Sequence, residues 1–149
     1  MNYGTGSEYL DQVINETMRL YPTVLKFITR LATETVQVRD LTIPQGSRVV
    51  YNSWLIHRDP LIWPEPTKFD PERFKAGVEI HPCAFASFGM GERKCLGYQL
   101  AKLEIKMIVC DILLRYKIKI VAPKEMEIVT CANVLSKPKE KVILELSRV

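Results

Sequence analysis

Phe88-Gly89-Met90-Gly91-Glu92-Arg93-Lys94-Cys95-Leu96-Gly97 runs directly into a long stretch of helical periodicity. A single cysteine thus stands where a glycine-rich loop meets a helix start. Unpaired backbone amides and the helix dipole at such a junction favour an anion, which draws a cysteine toward its thiolate. A thiolate so placed can be a nucleophile, a redox centre or a metal ligand, and the spacing argues for the last. Gly89 and Gly91 let the loop fold back so that amides point at the sulfur. Gly97 leaves a smooth surface for a flat cofactor, and Arg93 can reach an anionic group beside it. Other readings fit less well. Lys94 stands at the third glycine position of a dinucleotide fingerprint, and no Gly-Lys-Ser/Thr follows at the gap a phosphate loop requires. A lone cysteine is commonly a small buried hydrophobe, but the flanking glycines and Arg93 speak against that here.

Phe88, Gly91, Arg93, Cys95 and Gly97 fit the F-x-x-G-x-R-x-C-x-G loop at every position, and the stretch resembles that of the cytochrome P450 haem-thiolate enzymes. The resemblance implies haem b with Cys95 as the axial, catalytic iron ligand, Arg93 on a haem propionate and Phe88 shielding the sulfur. Thiolate ligation favours cleavage of the O–O bond. The likeness extends from about Ser7 to the end. It implies an α+β, mainly α, architecture in which residues 1–149 are a single partial domain, the C-terminal part of a longer one. The distal helix with its acid/alcohol pair and an N-terminal membrane anchor are expected upstream.

Composition agrees with a globular chain. Hydrophobic residues make up 47% and charged residues 26%, against disorder, and 149 residues suit one domain. A net charge of +4 is too mild to imply nucleic acid. Cys83, Cys95, Cys110 and Cys131 form no C-x-x-C pair, which argues against structural zinc. The first residues show no signal-peptide pattern, so a disulfide framework has no support. No apolar run reaches about 18 residues, so no spanning segment is expected.

Along the chain, residues 1–6 read as a loose lead-in and Thr5 with Glu8 as a capping box. Leu10, Val13, Ile14, Thr17, Met18 and Tyr21 recur at helical spacing up to Pro22. Glu16 and Arg19 lie three apart on that helix, where a surface pair is the plain reading. Followed by Leu20-Tyr21-Pro22, however, they resemble the family's E-x-x-R pair. Pro71-Glu72-Arg73-Phe74 resembles the P-E-R-F element whose arginine joins it. Glu16, Arg19 and Arg73 are thus expected to form a structural triad.

Residues 23–39 suggest strands, and residues 41–50 read as two strands joined by a Pro-x-Gly turn. Arg30 resembles a second propionate arginine, one residue further from the proline than in the family pattern, and reads almost as well as an exposed strand arginine. A short helix is expected over 51–57, and His57 and Arg58 of a His-Arg-Asp-Pro run read as structural. Pro60, Pro64, Pro66, Pro71 and Pro82 exclude long helix or central strand and predict an ordered meander.

Beyond Gly97 a helix places Leu100, Leu103, Met107, Cys110 and Leu114 on a core-facing stripe, with Cys83 and Cys131 as inert as Cys110. Lys94, Lys102 and Lys106 read either as a solvated face or, by resemblance, as a basic surface for an NADPH-dependent flavoprotein reductase. Residues 116–121, 126–134 and 142–146 read as strands, with a Ser-Lys-Pro turn between the last two. The resemblance implies that 23–27 and 131–135 approach the substrate. It also implies insertion of one atom of O2 into a small apolar molecule, at the cytosolic face of the endoplasmic reticulum as in microsomal eukaryotic members. A peroxide-rearranging isomerase or a truncated, non-catalytic haem-binding module are the alternatives.

Overall fold

The computed structural model describes residues 8–26, 29–123, 128–131 and 135–149. Expectations for the lead-in, Thr5, Phe27, Met126 and residues 132–134 fall outside them. The chain runs through helix α1 (Glu8–Leu20), strands β1 (Arg30–Leu31), β2 (Val36–Val38), β3 (Leu41–Ile43) and β4 (Arg48–Val49), and the single-turn helix α2 (Ser53–Ile56). A proline-rich meander follows, with 3₁₀ turns at Pro71–Phe74 and Gly91–Arg93. The long helix α3 (Tyr98–Arg115) then leads straight into β5 (Tyr116–Ala122), and β6 (Ile128–Cys131), β7 (Leu135–Pro138) and β8 (Ile143–Arg148) close the chain.

The described strands form four antiparallel pairs, β1–β4, β2–β3, β5–β8 and β6–β7. The Pro44-Gln45-Gly46 turn is present, with Ser47 N–H donating to the Pro44 carbonyl at 3.1 Å and Gly46 at φ +82°. The strands it joins pair elsewhere: β3 returns to β2, and β4 reaches back to β1. Ser136-Lys137-Pro138 is not the expected turn. It lies in β7, with Pro138 opposite Ile128 at the pair's end, where a missing donor costs least.

The buried core is unusual in its polarity. Ile14, Leu20, Trp63, Ala84 and Ala86 are its buried apolar members, but its largest fully buried side chains include Arg19, His57 and Glu16. Phe74 meets Phe85 edge-on at 4.8 Å between ring centroids and tilts against Trp63 at 5.8 Å, walling this polar centre.

The core-facing stripe expected on α3 is not covered by the described residues. No residue of α3 is buried. Leu100, Leu103, Met107 and Leu114 are exposed and Cys110 is only half-buried. The periodicity identified the helix but not its packing partner, because α3 is apolar on more than one side, the pattern of a helix enclosed by others. Cys83, expected to be inert, is exposed.

Candidate functional site

The cysteine loop hangs between two supports. Downstream, Cys95 passes through Leu96 and Gly97 into the first turn of α3, where Ala101 N–H donates to the Gly97 carbonyl at 2.9 Å. Upstream, residues 83–87 are fastened to the rest of the fold. Tyr51 Oη donates to the Cys83 carbonyl at 3.1 Å, and burial with the nearby Cys83 pushes its phenol up to about 12. Ala86 N–H donates to His57 Nε2 at 3.3 Å, and Ser87 Oγ to the Met18 carbonyl at 3.4 Å. Between the supports the loop folds on itself: Cys95 N–H donates to the Phe88 carbonyl at 2.8 Å, and Lys94 N–H to that of Gly91 at 3.1 Å. Gly89 at φ +76° and Gly91 at φ +67° occupy the left-handed region that this reversal requires.

The residues on the open side of the loop suit a flat, anionic cofactor. Cys95 is exposed, as are Gly91, Arg93 and Gly97. A Cβ built on Gly91 or Gly97 meets nothing within 4 Å, so neither glycine is spent on internal packing. Leu96 is 100% exposed and Leu100 60%, an apolar surface beside a thiol. Arg93 has no ion-pair partner among the described residues, which leaves its guanidinium available to a carboxylate. Also among the described residues, no three His, Cys, Asp or Glu side chains gather as a metal-binding group. The donor set is one exposed cysteine sulfur with an arginine two residues before it, which fits haem. Phe88 lies 6.3 Å from Tyr98 between ring centroids, and Lys94 Nζ sits 3.7 Å above the Tyr98 ring. Arg30 stands exposed on β1, opposite Val49, with no ion-pair partner among the described residues.

Glu16, Arg19 and Arg73 come together between α1 and the meander. Both Glu16 and Arg19 are 0% exposed. Arg19 Nε donates to Glu16 Oε2 at 2.7 Å and Nη2 to Oε1 at 2.8 Å. Its remaining N–H groups reach the carbonyls of His57 at 2.6 Å, Pro66 at 2.7 Å and Lys68 at 3.2 Å. All five guanidinium donors are therefore used, as a buried arginine requires. The guanidinium carbon also lies 5.1 Å from the centre of the Trp63 ring.

Glu16 Oε1 accepts from Asp70 N–H at 2.8 Å and faces Arg73 Nε at 3.5 Å. Arg73 Nη2 donates to the Glu65 carbonyl at 3.0 Å, whereas its buried Nε makes no hydrogen bond. The local sequence explains how Arg73 arrives there. Asp70 caps the 3₁₀ turn by accepting from Glu72 N–H, and Pro71 supplies the preset φ at its first position.

His57 contributes more than its place in a His-Arg-Asp-Pro run suggests. It is fully buried at the C-cap of α2, held by Ser53 and by the Asn52 cap at the other end. Its Nδ1 lies 3.2 Å from the Arg19 carbonyl and its Nε2 accepts from Ala86. Only the neutral tautomer with the proton on Nδ1 satisfies both partners. Burial, with the Arg19 and Arg58 charges, lowers its pKa to about 4, against the opposing hydrogen bond to Arg19. Arg58 itself donates to the Leu20 carbonyl and stacks on Trp54 at 3.4 Å.

The lysines expected on one basic face are partly internal. Lys102 Nζ donates to Asn15 Oδ1 at 2.9 Å, and Lys106 Nζ reaches Asp11 at 2.7 Å. Both tie α3 to α1, and desolvation lowers the Lys102 pKa. Spacing put the two on one helix face correctly but did not reveal that α1 lies across from it.

The two stretches expected near substrate adjoin each other. Val24 bridges Leu135, and Ser136 N–H donates to the Thr23 carbonyl at 2.8 Å. Among the described residues no helix is long and apolar enough to cross a membrane.

Comparison with known proteins agrees with this arrangement. The chain is 35% identical over 143 residues to lithocholate 6-beta-hydroxylase of Mesocricetus auratus, covering 95% of this chain and 28% of that protein. It is 37% identical over 142 residues to cytochrome P450 3A40 of Oryzias latipes, covering 94% of this chain and 28% of that one. Among solved structures, retinoic acid-bound cyanobacterial CYP120A1 superposes with a TM-score of 0.84 at 32% identity, over 95% of this chain and 32% of that structure. The chain thus spans a little over a quarter of the length of these curated relatives. The family model for cytochrome P450 matches residues 7–146, and the chain belongs to that family.

Proposed function

We propose that this chain is the haem-binding C-terminal part of a haem-thiolate monooxygenase, with Cys95 as the axial ligand. One observation carries the reading: an exposed cysteine on a loop turned by two left-handed glycines, beside an arginine with no ion-pair partner among the described residues. A bound haem would supply activation of O2 and transfer of one oxygen atom to substrate. Cys95 would hold the iron and Arg93 a propionate, while the glycine-lined surface admits the ring edge. Arg30 would serve a second propionate. Phe88 would limit water beside the sulfur, which keeps a thiolate electron-rich. Glu16, Arg19 and Arg73 would hold α1 to the meander.

The substrate would be a small apolar molecule, passing the paired stretches at Thr23–Val24 and Leu135–Ser136. Electrons would come from an NADPH-dependent flavoprotein reductase. With Lys102 and Lys106 engaged by α1, the charge offered to such a partner would rest more on Lys94. The protein would reside at the endoplasmic reticulum through an anchor elsewhere in the protein, a reading that the resemblance to microsomal eukaryotic members supports.

The test is the spectrum of the reduced, carbon monoxide-bound haem protein. The red-shifted thiolate band should be present in the native protein and in Cys110→Ser, and absent in Cys95→Ser. Persistence of that band in Cys95→Ser would assign the ligand elsewhere and overturn the reading.

A further inference from the structure

We infer that His57 is a positioning residue for the cysteine loop, and that acid releases the loop by protonating its imidazole. The inference rests on the proposed role of Cys95 in binding haem.

The geometry makes His57 a clasp between three parts of the chain. It sits at the C-cap of α2, its Nδ1–H side meets the end of α1 at the Arg19 carbonyl, and its Nε2 receives the Ala86 amide. Ala86 lies two residues before Phe88, whose carbonyl in turn accepts the Cys95 amide. A short relay of backbone therefore connects the imidazole to the ligand. Arg19 completes the clasp by donating to the His57 carbonyl, so the helix carrying the triad and the residue holding the loop fix each other. Phe85 packs against the imidazole, with 5.4 Å between ring centroids.

A proton arriving on Nε2 turns an acceptor into a donor. It would then face the Ala86 N–H, donor against donor, and that link is lost while Nδ1–H still holds the Arg19 carbonyl. The charged groups that bear on the ring are Arg19 from α1 and Arg58 next in sequence, both cationic and both opposed to a further positive charge. Glu16 is the nearest carboxylate to Arg19, and it is already held by Arg19 and Arg73. Residues 84–87 of the loop's upstream arm carry no ionisable side chain. The held imidazole therefore stays neutral through mild acid, and the clasp weakens as pH falls from the ordinary imidazole value of 6.5, its hold being lost by about 4.

The experiment follows the thiolate band of the native haem protein as pH falls, alongside His57→Gln and His57→Phe. Glutamine can accept from Ala86 and does not titrate. Its acid limb should move down by one pH unit or more, with the band retained at neutral pH. Phenylalanine can stack on Phe85 but leaves the Ala86 amide without an acceptor, and it should release haem several-fold faster at neutral pH. A purely structural histidine would instead give the same acid midpoint in the glutamine variant as in the native protein, and that result overturns the inference. In parallel, nuclear magnetic resonance of the native protein reads the His57 ring and the Ala86 amide as pH falls. Their titrating together supports the clasp, and independent behaviour refutes it, even if neither variant folds. This second readout uses no haem ligation. If Cys95 proves not to be the ligand, it still decides whether His57 holds Ala86.

Discussion

Replacing Glu16 by alanine isolates the buried network most directly. The carboxylate accepts two hydrogen bonds from Arg19 and one from the Asp70 amide, and it faces Arg73 at 3.5 Å. Its removal leaves the Arg19 guanidinium 0% exposed with two of its five N–H groups short of a partner, and it orphans the Asp70 amide. Breaking a buried ion pair from one side costs about 3–5 kcal/mol. Against a typical domain stability of about 5–15 kcal/mol, Glu16→Ala should leave the protein close to unfolding. Arg73→Ala should cost less, about 1–2 kcal/mol, because Glu16 keeps its three N–H donors and Arg73 Nε makes no hydrogen bond. Urea unfolding followed by tryptophan fluorescence is a suitable assay, since Trp63 lies against Arg19 and senses the same site. The midpoint should fall without a change in slope. A cost below about 1 kcal/mol for Glu16→Ala would refute the argument. So would an Arg73→Ala variant less stable than Glu16→Ala, which would mean that the 3.5 Å contact outweighs the three hydrogen bonds.

The two loop glycines should separate cleanly. Gly91→Ala places a Cβ at φ +67° and should cost about 1–2 kcal/mol in thermal or urea unfolding, with no steric clash to add. Gly97→Leu, with open space around the built Cβ, should leave stability within about 0.5 kcal/mol yet weaken haem retention roughly tenfold by occupying the ring's surface. Equal haem retention in Gly97→Leu and the native protein would show that the cofactor lies elsewhere. Lys106→Met should lower stability by less than about 1 kcal/mol, and the difference should shrink in high salt, because its partner Asp11 is partly solvated. A salt-independent loss would assign the effect to the packed stem instead.

Much of the fold was legible where a residue's job is local. The Cys95 loop needs glycines at positive φ, the 3₁₀ turn carrying Arg73 needs Asp70 and Pro71, and α1 needs its spacing and a stop at Pro22. These demands sit within a few residues of each other and so are written in the sequence. What depended on a distant surface was harder to read. His57 could be taken as structural, but nothing near it in sequence announces Ala86, 29 residues on. Lys102 and Lys106 read from spacing as a solvated face or a docking surface, and neither reading shows that Asn15 and Asp11 of α1 hold them. The α3 stripe reads as core from its spacing, but α3 carries apolar residues on more than one side, so the spacing does not say which face is covered or by what. Ser136-Lys137-Pro138 looked like a turn from composition, yet pairing with β6 decided for a strand.

The link between Ser136 and the start of the chain bears on how the protein is made. Ser136 Oγ donates to the Pro22 carbonyl, 114 residues away, and its amide holds Thr23. The network of Glu16, Arg19 and Arg73 can close once the meander has left the ribosome, and Ser53 can already hold the Val24 and Leu25 carbonyls, whereas the contacts of Pro22, Thr23 and Val24 with Leu135 and Ser136 wait for β7. At about 5–20 residues per second, that interval lasts several seconds in which Thr23 and Val24 lack their final partners. Long-range closure of this kind slows folding. The segment beside the proposed substrate path should therefore be among the last to set, and the first to depend on chaperones when translation stalls before β7.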